Sequence, residues 1–409
     1  GWQSPAKGKC LNEDVSQTVG GVIATNVHDS FAPTFADKVT SLRIAHFTSN
    51  GTAIATTYNQ SHRHFGFTFG TVGRTGIVIS ATLQLEPLQA YSWMGQSSDE
   101  QQLSALFSSQ MSPLSECPTE YITMSSWPNP ASSISKRCAQ PNDTVSQVLH
   151  LDPAPSETGF MRNAIEGLVS WDRVLLGEVI LSTFIAAAAS ASSYKQGNWH
   201  NSHSNLLFEQ HIEMEIFVPF DDAARALVAL QTVLQRDVRW SNAFVALRQV
   251  PEAAAPLVPS AGADALAINI DFFFDRDWDE FAKLQRRILE EWRGLTPSLG
   301  FVRLHPGKFI APGETMEAGG FRDTSIGDFY ALVGEVDPNG VFRTPLCARD
   351  GMVFVYSSRT PFTVSAVTYI AWMSCLSAIV VSFFLIVLCG LKCYRRVSSK
   401  SNTTSATIM

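Results

Sequence analysis

The second half of the chain switches repeatedly between two spacings of apolar residues. In "HIEMEIFVPF", Ile212, Met214, Ile216 and Val218 fall on one face of a strand, and His211, Glu213 and Glu215 on the other. "DDAARALVALQTVLQ" changes to helical spacing, with Asp221 as the expected N-cap. "AFVALRQV" reads as a short strand and "DALAINIDFFF" as a longer one, with Leu266, Ile268, Ile270 and Phe272 in register. "DWDEFAKLQRRILEEWRG" is an amphipathic helix that turns Trp278, Phe281, Leu284, Ile288 and Trp292 inward and stops at Gly294. The βαββα order over 206–295 predicts an antiparallel sheet backed by helices, an α+β unit.

Residues 17–87 read as a compact, β-rich unit. "VTSLRIAHFTSNGTAIATTY" is a pair of strands around a turn at Asn50-Gly51. "TGIVISATLQLEP" alternates so that Ile77, Ile79, Ala81, Leu83 and Leu85 share the expected inward face, and Pro87 ends it. Between the two units, 95–160 is rich in Ser, Pro and Gln and reads as an extended surface region with short helices. Residues 161–193 read as an apolar helix, buried or lying on a membrane surface, because Glu178 interrupts it.

One segment asks for a different solvent. From Val364 to Leu391 the chain carries no charge, longer than the roughly 20 residues that cross a bilayer as a helix. Lys392, Arg395, Arg396 and Lys400 follow it, so the short basic tail, 392–409, is expected to be cytosolic and the bulk of the chain lumenal or extracellular. Cys10, Cys117, Cys138 and Cys347 permit disulfides there, with Cys117–Cys138 the preferred pair. Asn50, Asn59 and Asn142 begin glycosylation triplets.

Composition narrows the partners. The chain has 409 residues, 16% of them charged, and a net charge of −7 with no basic stripe, which excludes nucleic acid as an expected partner.

Several clusters carry candidate chemistry. Gly20-Gly21 leads a run of small residues, "VIATN", expected to begin a strand or buried turn where something approaches the backbone closely. A second cluster, Gly70, Gly73 and Gly76, opens the next strand, and the two loops together have the means to press on one flat ligand. "RLHPGK" gathers Arg303, His305 and Lys308 in one loop able to face an electron-rich ring or an anion, or simply a solvated basic loop. "SHRH" (61–64) and "HNSH" (200–203) read as exposed loop histidines, and "DRDWDE" (275–280) as an acid-rich helix start. No metal-ligand set stands out.

In combination these pieces resemble the FAD-linked sugar-1,4-lactone oxidases, the L-gulonolactone and D-arabinono-1,4-lactone oxidases of the vanillyl-alcohol-oxidase superfamily. "QTVGGVIATNVH" resembles the family's flavin loop, a V-G-G run with a T-H-G-like end. "FGTVGRTGIVISATLQLEP" resembles its L-G-x-L-G-V-I-T-x-V-T-L segment, "FEQHIEMEIFVPFDDA" the opening of its substrate domain, and "RLHPGK" its R-P-H-W-x-K loop. "FYALVGEVDPNGVFRTPLC" resembles the closing L-D-P-x-G-x-F-x-N-x-Y-L, and "VALR" the E-x-R strand, with Ala246 where that pattern has Glu.

The resemblance covers 17–87 and 206–347 and implies a two-part α+β fold: a partial FAD-binding (PCMH-type) domain and a cap domain over the isoalloxazine. Its organisation is 1–90, the C-terminal part of the FAD domain; 91–205, an irregular and helical insertion or start of the cap domain; 206–347, the substrate domain and return to the FAD domain; 348–363, a linker; 364–391, the transmembrane helix; and 392–409, the tail. The family's N-terminal FAD subdomain has no counterpart, so the sequence is expected to be a piece of a longer chain. By the resemblance, Gly20, Gly21, Ala24, Thr25, His28, Gly73, Gly76, Ile77 and Val78 line the flavin, and Arg248, His305 and Lys308 sit at its reactive edge. It implies oxidation of a sugar lactone or related polyol, with O2 or another electron acceptor. The alternative left open is a degenerate relative that keeps the fold as a binding or interaction module.

Overall fold

A computed structural model of the chain describes residues 2–3, 18–28, 34–87, 90–98, 119–125, 132–139, 194–197, 211–236, 243–273, 278–295, 300–314 and 323–342. The short strand β1 (Trp2–Gln3) comes first, followed by the helices α1 (Val19–Thr25) and α2 (Phe35–Lys38). Strands β2 (Val39–Phe47), β3 (Ala53–Asn59) and β4 (Ile77–Leu83) then form an antiparallel sheet in the order β3-β2-β4. β5 (Glu86–Pro87) pairs with β1. The remaining strands are β6 (Ala90–Ser98), β7 (Thr119–Ser125), β8 (Ser132–Ala139), β9 (Tyr194–Gly197), β10 (His211–Pro219), β11 (Ala243–Val250), β12 (Ala265–Phe273) and β13 (Arg303–Leu304). They make one sheet in the order β13-β10-β12-β11-β7-β8-β6-β9. Helices α3 (Ala223–Gln235), α4 (Trp278–Gly294) and α5 (Asp323–Val336) complete the described elements.

The βαββα reading of 206–295 matches this arrangement. β10 pairs antiparallel with β12, and β12 with β11. Met214, Ile216, Val218, Leu266, Ile268 and Ile270 are buried on the face that α3 and α4 cover, where Leu230, Phe281, Ile288 and Trp292 meet them. Burying apolar side chains of this size is worth about 1.5–3 kcal/mol each, so this layer dominates the core. Trp292 also donates its indole N–H to the Ala226 carbonyl at 2.9 Å, tying α4 to α3. The acidic start of α4, Asp279 and Glu280, lies in its first turn as expected. Asp221 is not the N-cap of α3. A 3-10 turn, Phe220–Asp222, precedes the helix, so the cap falls one residue later at Asp222, whose carboxylate pairs with Arg225 instead of the helix amides.

Three further expectations are corrected. The stretch read as irregular and helical, 91–205, contributes β7, β8, β9 and most of β6 to the large sheet; β7 pairs with β11 and so continues the β10-β12-β11 strands outward. The serines of β6 and β8 interrupt the apolar alternation that marks a strand covered on one face. Gly20-Gly21 belongs to a helix, not to a strand or turn. Thr18 caps α1 by accepting the Gly21 N–H at 3.1 Å, and Asn26 ends it in the left-handed region at φ 52°. On β4 the inward face is Val78, Ala81 and Leu83, while Ile77 and Ile79 are 63% and 52% exposed. The register of β4 against β2 slips between Arg43 and Ile44, opposite Ser80 and Val78; the extra residue, Ile79, reverses which face the alternation points to. The β2–β3 hairpin with its turn at Asn50-Gly51 forms as read, and Asn50 and Asn59 are both exposed.

Cys117, Asn142, the helix read over 161–193, the "HNSH" histidines and the uncharged segment 364–391 lie outside the described residues. Among the described residues no helix is long and apolar enough to cross a membrane.

Candidate functional site

The two glycine clusters meet. The last turn of α1 leaves carbonyls without helical partners, and the second cluster supplies the donors: Gly70 N–H reaches the Ile23 carbonyl at 3.2 Å and Val72 N–H the Ala24 carbonyl at 2.9 Å. The loop that does this is unusual backbone. Gly70, Gly73 and Gly76 all have positive φ, and so does Val72, at 52°. For a β-branched residue that conformation is strained. The reasons for the glycines differ. A Cβ on Gly76 would lie 2.4 Å from the Ala45 carbonyl oxygen, so Gly76 lets β4 close on β2. A Cβ on Gly73 would meet nothing within 4 Å, so there the glycine serves the left-handed turn and leaves bare backbone. Gly20 faces Val78, and Ile77 points away from the core.

The "RLHPGK" loop closes on the same helix. A Cβ on Gly307 would stand 2.8 Å from the Thr25 Cβ, so only glycine lets this loop lie against the end of α1. Its backbone runs along β10: His305 N–H donates to the Glu215 carbonyl and Phe309 N–H to the Glu213 carbonyl, each at 3.0 Å. The side chains of the polar face of β10 therefore come up beneath the loop. Arg303 turns elsewhere, into the carbonyls of Pro259 and Ala261 and over the Phe301 ring, as a buried structural cation.

The result is a buried polar group assembled from both units. His28 Nε2 lies 3.1 Å from Glu215 Oε2. Arg248 Nη1 stands 3.7 Å from Glu215 Oε1, and Lys308 is paired with Glu213. The rings of His28 and His305 are 5.4 Å apart, with Phe217 packed against both. Burial alone would raise the pKa of Glu215, but the charge and hydrogen bond of His28, with His305 and Lys308, hold it well below the usual carboxylate range. Burial likewise pushes His305 down, to about 3 despite Glu215. Burial would lower Lys308, but Glu213 and Glu215 raise it above the usual lysine range. At neutral pH the site thus holds an ionised carboxylate, a neutral imidazole and a fixed ammonium.

Of the residues singled out from the sequence, the structure brings Arg248, His305, Lys308 and His28 together, and joins Ala24, Thr25 and the 70–73 turn to them through α1 and Gly307. Glu213, Glu215 and Asn269 were not singled out. Their one signal was the polar side of the alternation in "HIEMEI" and "AINID", which a solvated strand face would show equally.

His28, Glu215 and His305 offer ligand-type atoms within 4.8 Å of one another. The hydrogen bonding argues against a metal there. His305 Nδ1 accepts the Gly307 N–H at 3.0 Å, so the neutral ring carries its proton on Nε2 and has no free lone pair for an ion. His64, expected to be exposed, is buried, with Nδ1 3.6 Å from Glu335 of α5.

No protein-family model and no curated protein sequence matches the chain. Solved structures do. A solvent-stable cholesterol oxidase superposes with a TM-score of 0.55 at 17% identity, over 84% of this chain and 76% of that one. The cholesterol oxidase from B. sterolicum superposes with a TM-score of 0.54 at 13% identity, over 80% and 74%. The chain is similar in fold to these oxidases.

Proposed function

We propose that the chain is an FAD-dependent oxidoreductase acting on a CH–OH group of a sugar-1,4-lactone or related polyol, with O2 or another small molecule as electron acceptor. The observation that carries this reading is the meeting of helix α1 and the bare backbone turn at Gly73 with a buried set of fixed charges. The fold likeness to oxidases and the lactone-oxidase motifs support it. The residues present fit a flavin: Gly73 exposes backbone with no side chain over it, and the strained Val72 turn is held in place by the carbonyls of α1. When bound, FAD would supply the hydride acceptor. Gly20, Gly21, Ala24, Thr25, His28, Gly73, Gly76, Ile77 and Val78 are the proposed flavin-side positions. Arg248 and Lys308 hold positive charge where substrate oxygens bind, and His305 presents its Nε2–H as a donor that stays neutral. The polar sheet face beneath them suits a hydroxylated substrate better than a sterol.

The test is the absorbance spectrum of the purified full-length protein. Flavin bands, bleached without air by D-arabinono-1,4-lactone and not by cholesterol, are the expected outcome. A correctly folded, colourless protein sinks the reading. Ala246 in the strand of Arg248 and the capture of Lys308 by Glu213 favour the second reading, a binding module without turnover. We also propose that 364–391 anchors the chain in a membrane with 392–409 cytosolic. Release of the intact protein by alkaline carbonate counts against it.

A further inference from the structure

The polar face of the large sheet contains two buried acceptors that the groups around them do not satisfy. Glu215 and Asn269 are register partners across β10 and β12, and Ala246 is the partner of Asn269 on β11, so the three lie in one row. Glu215 is 2% exposed and Asn269 5%. Glu215 Oε2 is taken by His28, but Oε1 receives no hydrogen bond from the described residues, with Arg248 standing at 3.7 Å beyond hydrogen-bond reach. Asn269 donates from Nδ2 to Asp271 at 2.8 Å, while its Oδ1 receives no hydrogen bond from the described residues. A buried acceptor without a donor costs about 1–3 kcal/mol, so two side by side that no described residue satisfies suit donors supplied by a bound molecule.

We propose that Glu215 Oε1 and Asn269 Oδ1 form a subsite for two neighbouring hydroxyl groups of the substrate; this rests on the oxidoreductase reading above and names the substrate feature its site selects. The geometry suits O–H donors. Facing side chains on an antiparallel pair stand about 4.5–5.5 Å apart at Cβ, the spacing at which two acceptors reach adjacent hydroxyls. The next position of the row, Ala246, and the register partner of Arg248, Ala267, carry only methyl groups, so neither competes for the two acceptors. A hydroxyl is both donor and acceptor, so Arg248 donates to the oxygen whose proton Glu215 accepts. Glu215 stays ionised, since its pKa is held low, and therefore orients these hydroxyls instead of taking their protons. A single hydroxyl, such as a sterol offers, would satisfy one acceptor and leave the other bare.

Calorimetric titration of the full-length protein with D-arabinono-1,4-lactone and with 2-deoxy-D-ribono-1,4-lactone, which differs by lacking the hydroxyl on C2, tests the subsite without requiring turnover. The lactone is expected to bind about tenfold more tightly than the deoxy compound, the equivalent of one buried acceptor left unpaired. Asn269→Leu is expected to abolish that preference. Ala246→Val, which adds methyl groups to the row without touching either acceptor, is expected to weaken both ligands while leaving the thermal midpoint in place. It keeps the test open if Asn269→Leu does not fold. Equal affinities for the two compounds, no binding of either, or a preference that persists in Asn269→Leu overturns the proposal. A clear preference in a protein without flavin upholds the subsite and removes the oxidoreductase reading. Flavin with no preference does the reverse.

Discussion

The large sheet and the small sheet solve burial in opposite ways. β10 and β12 are covered on both faces. Met214, Ile216, Leu266 and Ile268 have no exposed surface on one side, and Glu215, Phe217, Ala267 and Asn269 are buried on the other. β4 and β3 of the small sheet leave Ile77, Ile79 and Ile54 substantially exposed. The small unit has a smaller core, around Val22, Ile23, Phe35, Leu42, Ile44 and Phe69, and is shaped as well by backbone: the bulge at Ile79, the left-handed Asn26, and the positive φ angles between Gly70 and Gly76. The candidate site sits where the two meet: Glu213, Glu215 and Arg248 come from a sheet held by side-chain volume, His28, His305 and Lys308 from loops, and the bare surface from a turn held by backbone conformation. Substitutions that remove volume should hurt the first region most, and those that restrict backbone the second.

Trp292→Ala should have the largest effect. The side chain is wholly buried between α3 and α4 and loses its hydrogen bond to Ala226 as well, so a loss of about 4 kcal/mol is expected in denaturant unfolding. A loss near 1 kcal/mol would mean that the large sheet is not held by packing. Gly76→Ala comes next, at about 3 kcal/mol, because the added methyl meets the Ala45 carbonyl and φ is 119°. Gly73→Ala, with the same sign of φ but open space, should cost only about 1 kcal/mol. Equal losses at the two glycines would erase the distinction between a packing glycine and a turn glycine.

The same contrast explains what could be read in advance. Strict alternation in "HIEMEIFVPF" and "DALAINIDFFF" located β10 and β12, because a face packed on helices must be apolar at every second residue. β4 has an equally clean alternation and was misread, since a one-residue bulge reverses the face and leaves no mark on residue type. β7 and β8, which join the sheet at its outer half, are poor in apolar alternation and were read as surface chain. At the candidate site, Arg248, His305 and Lys308 carry a motif signal in the sequence. Glu215 carries none, because a carboxylate on the polar side of a strand is ordinarily solvated, and its partner here, His28, is 187 residues away in sequence.

Acid should weaken the junction between the two regions before it weakens either. His305 is neutral when folded and titrates only near 3, whereas the unfolded chain takes up its proton near the ordinary 6.5. The unfolded state then binds more protons between these values, so stability present above pH 6.5 falls as pH drops toward 3, by up to about 1.4 kcal/mol per unit. Glu215, also held below its ordinary 4.5, adds a loss of the same sign only at lower pH. Thermal midpoints should therefore decline between pH 6.5 and 5, and His305→Phe should flatten that limb. A decline that survives the substitution would place the acid sensitivity elsewhere.

Val72→Gly should have the smallest effect, and its sign sharpens the comparison most. Val72 holds φ 52° because its N–H is bound to the Ala24 carbonyl, a bond that glycine keeps. Releasing a left-handed valine returns about 1–2 kcal/mol. Against this, glycine gives up about 0.5–1 kcal/mol to chain entropy and loses the apolar contact of a partly buried side chain with the large core. The terms nearly cancel, so unfolding should change by less than about 1 kcal/mol. A loss of several kcal/mol would show that the valine side chain, not the loop backbone, fastens the small unit to the large sheet. The division between a region held by volume and a region held by backbone would then fail at the point where the site is built.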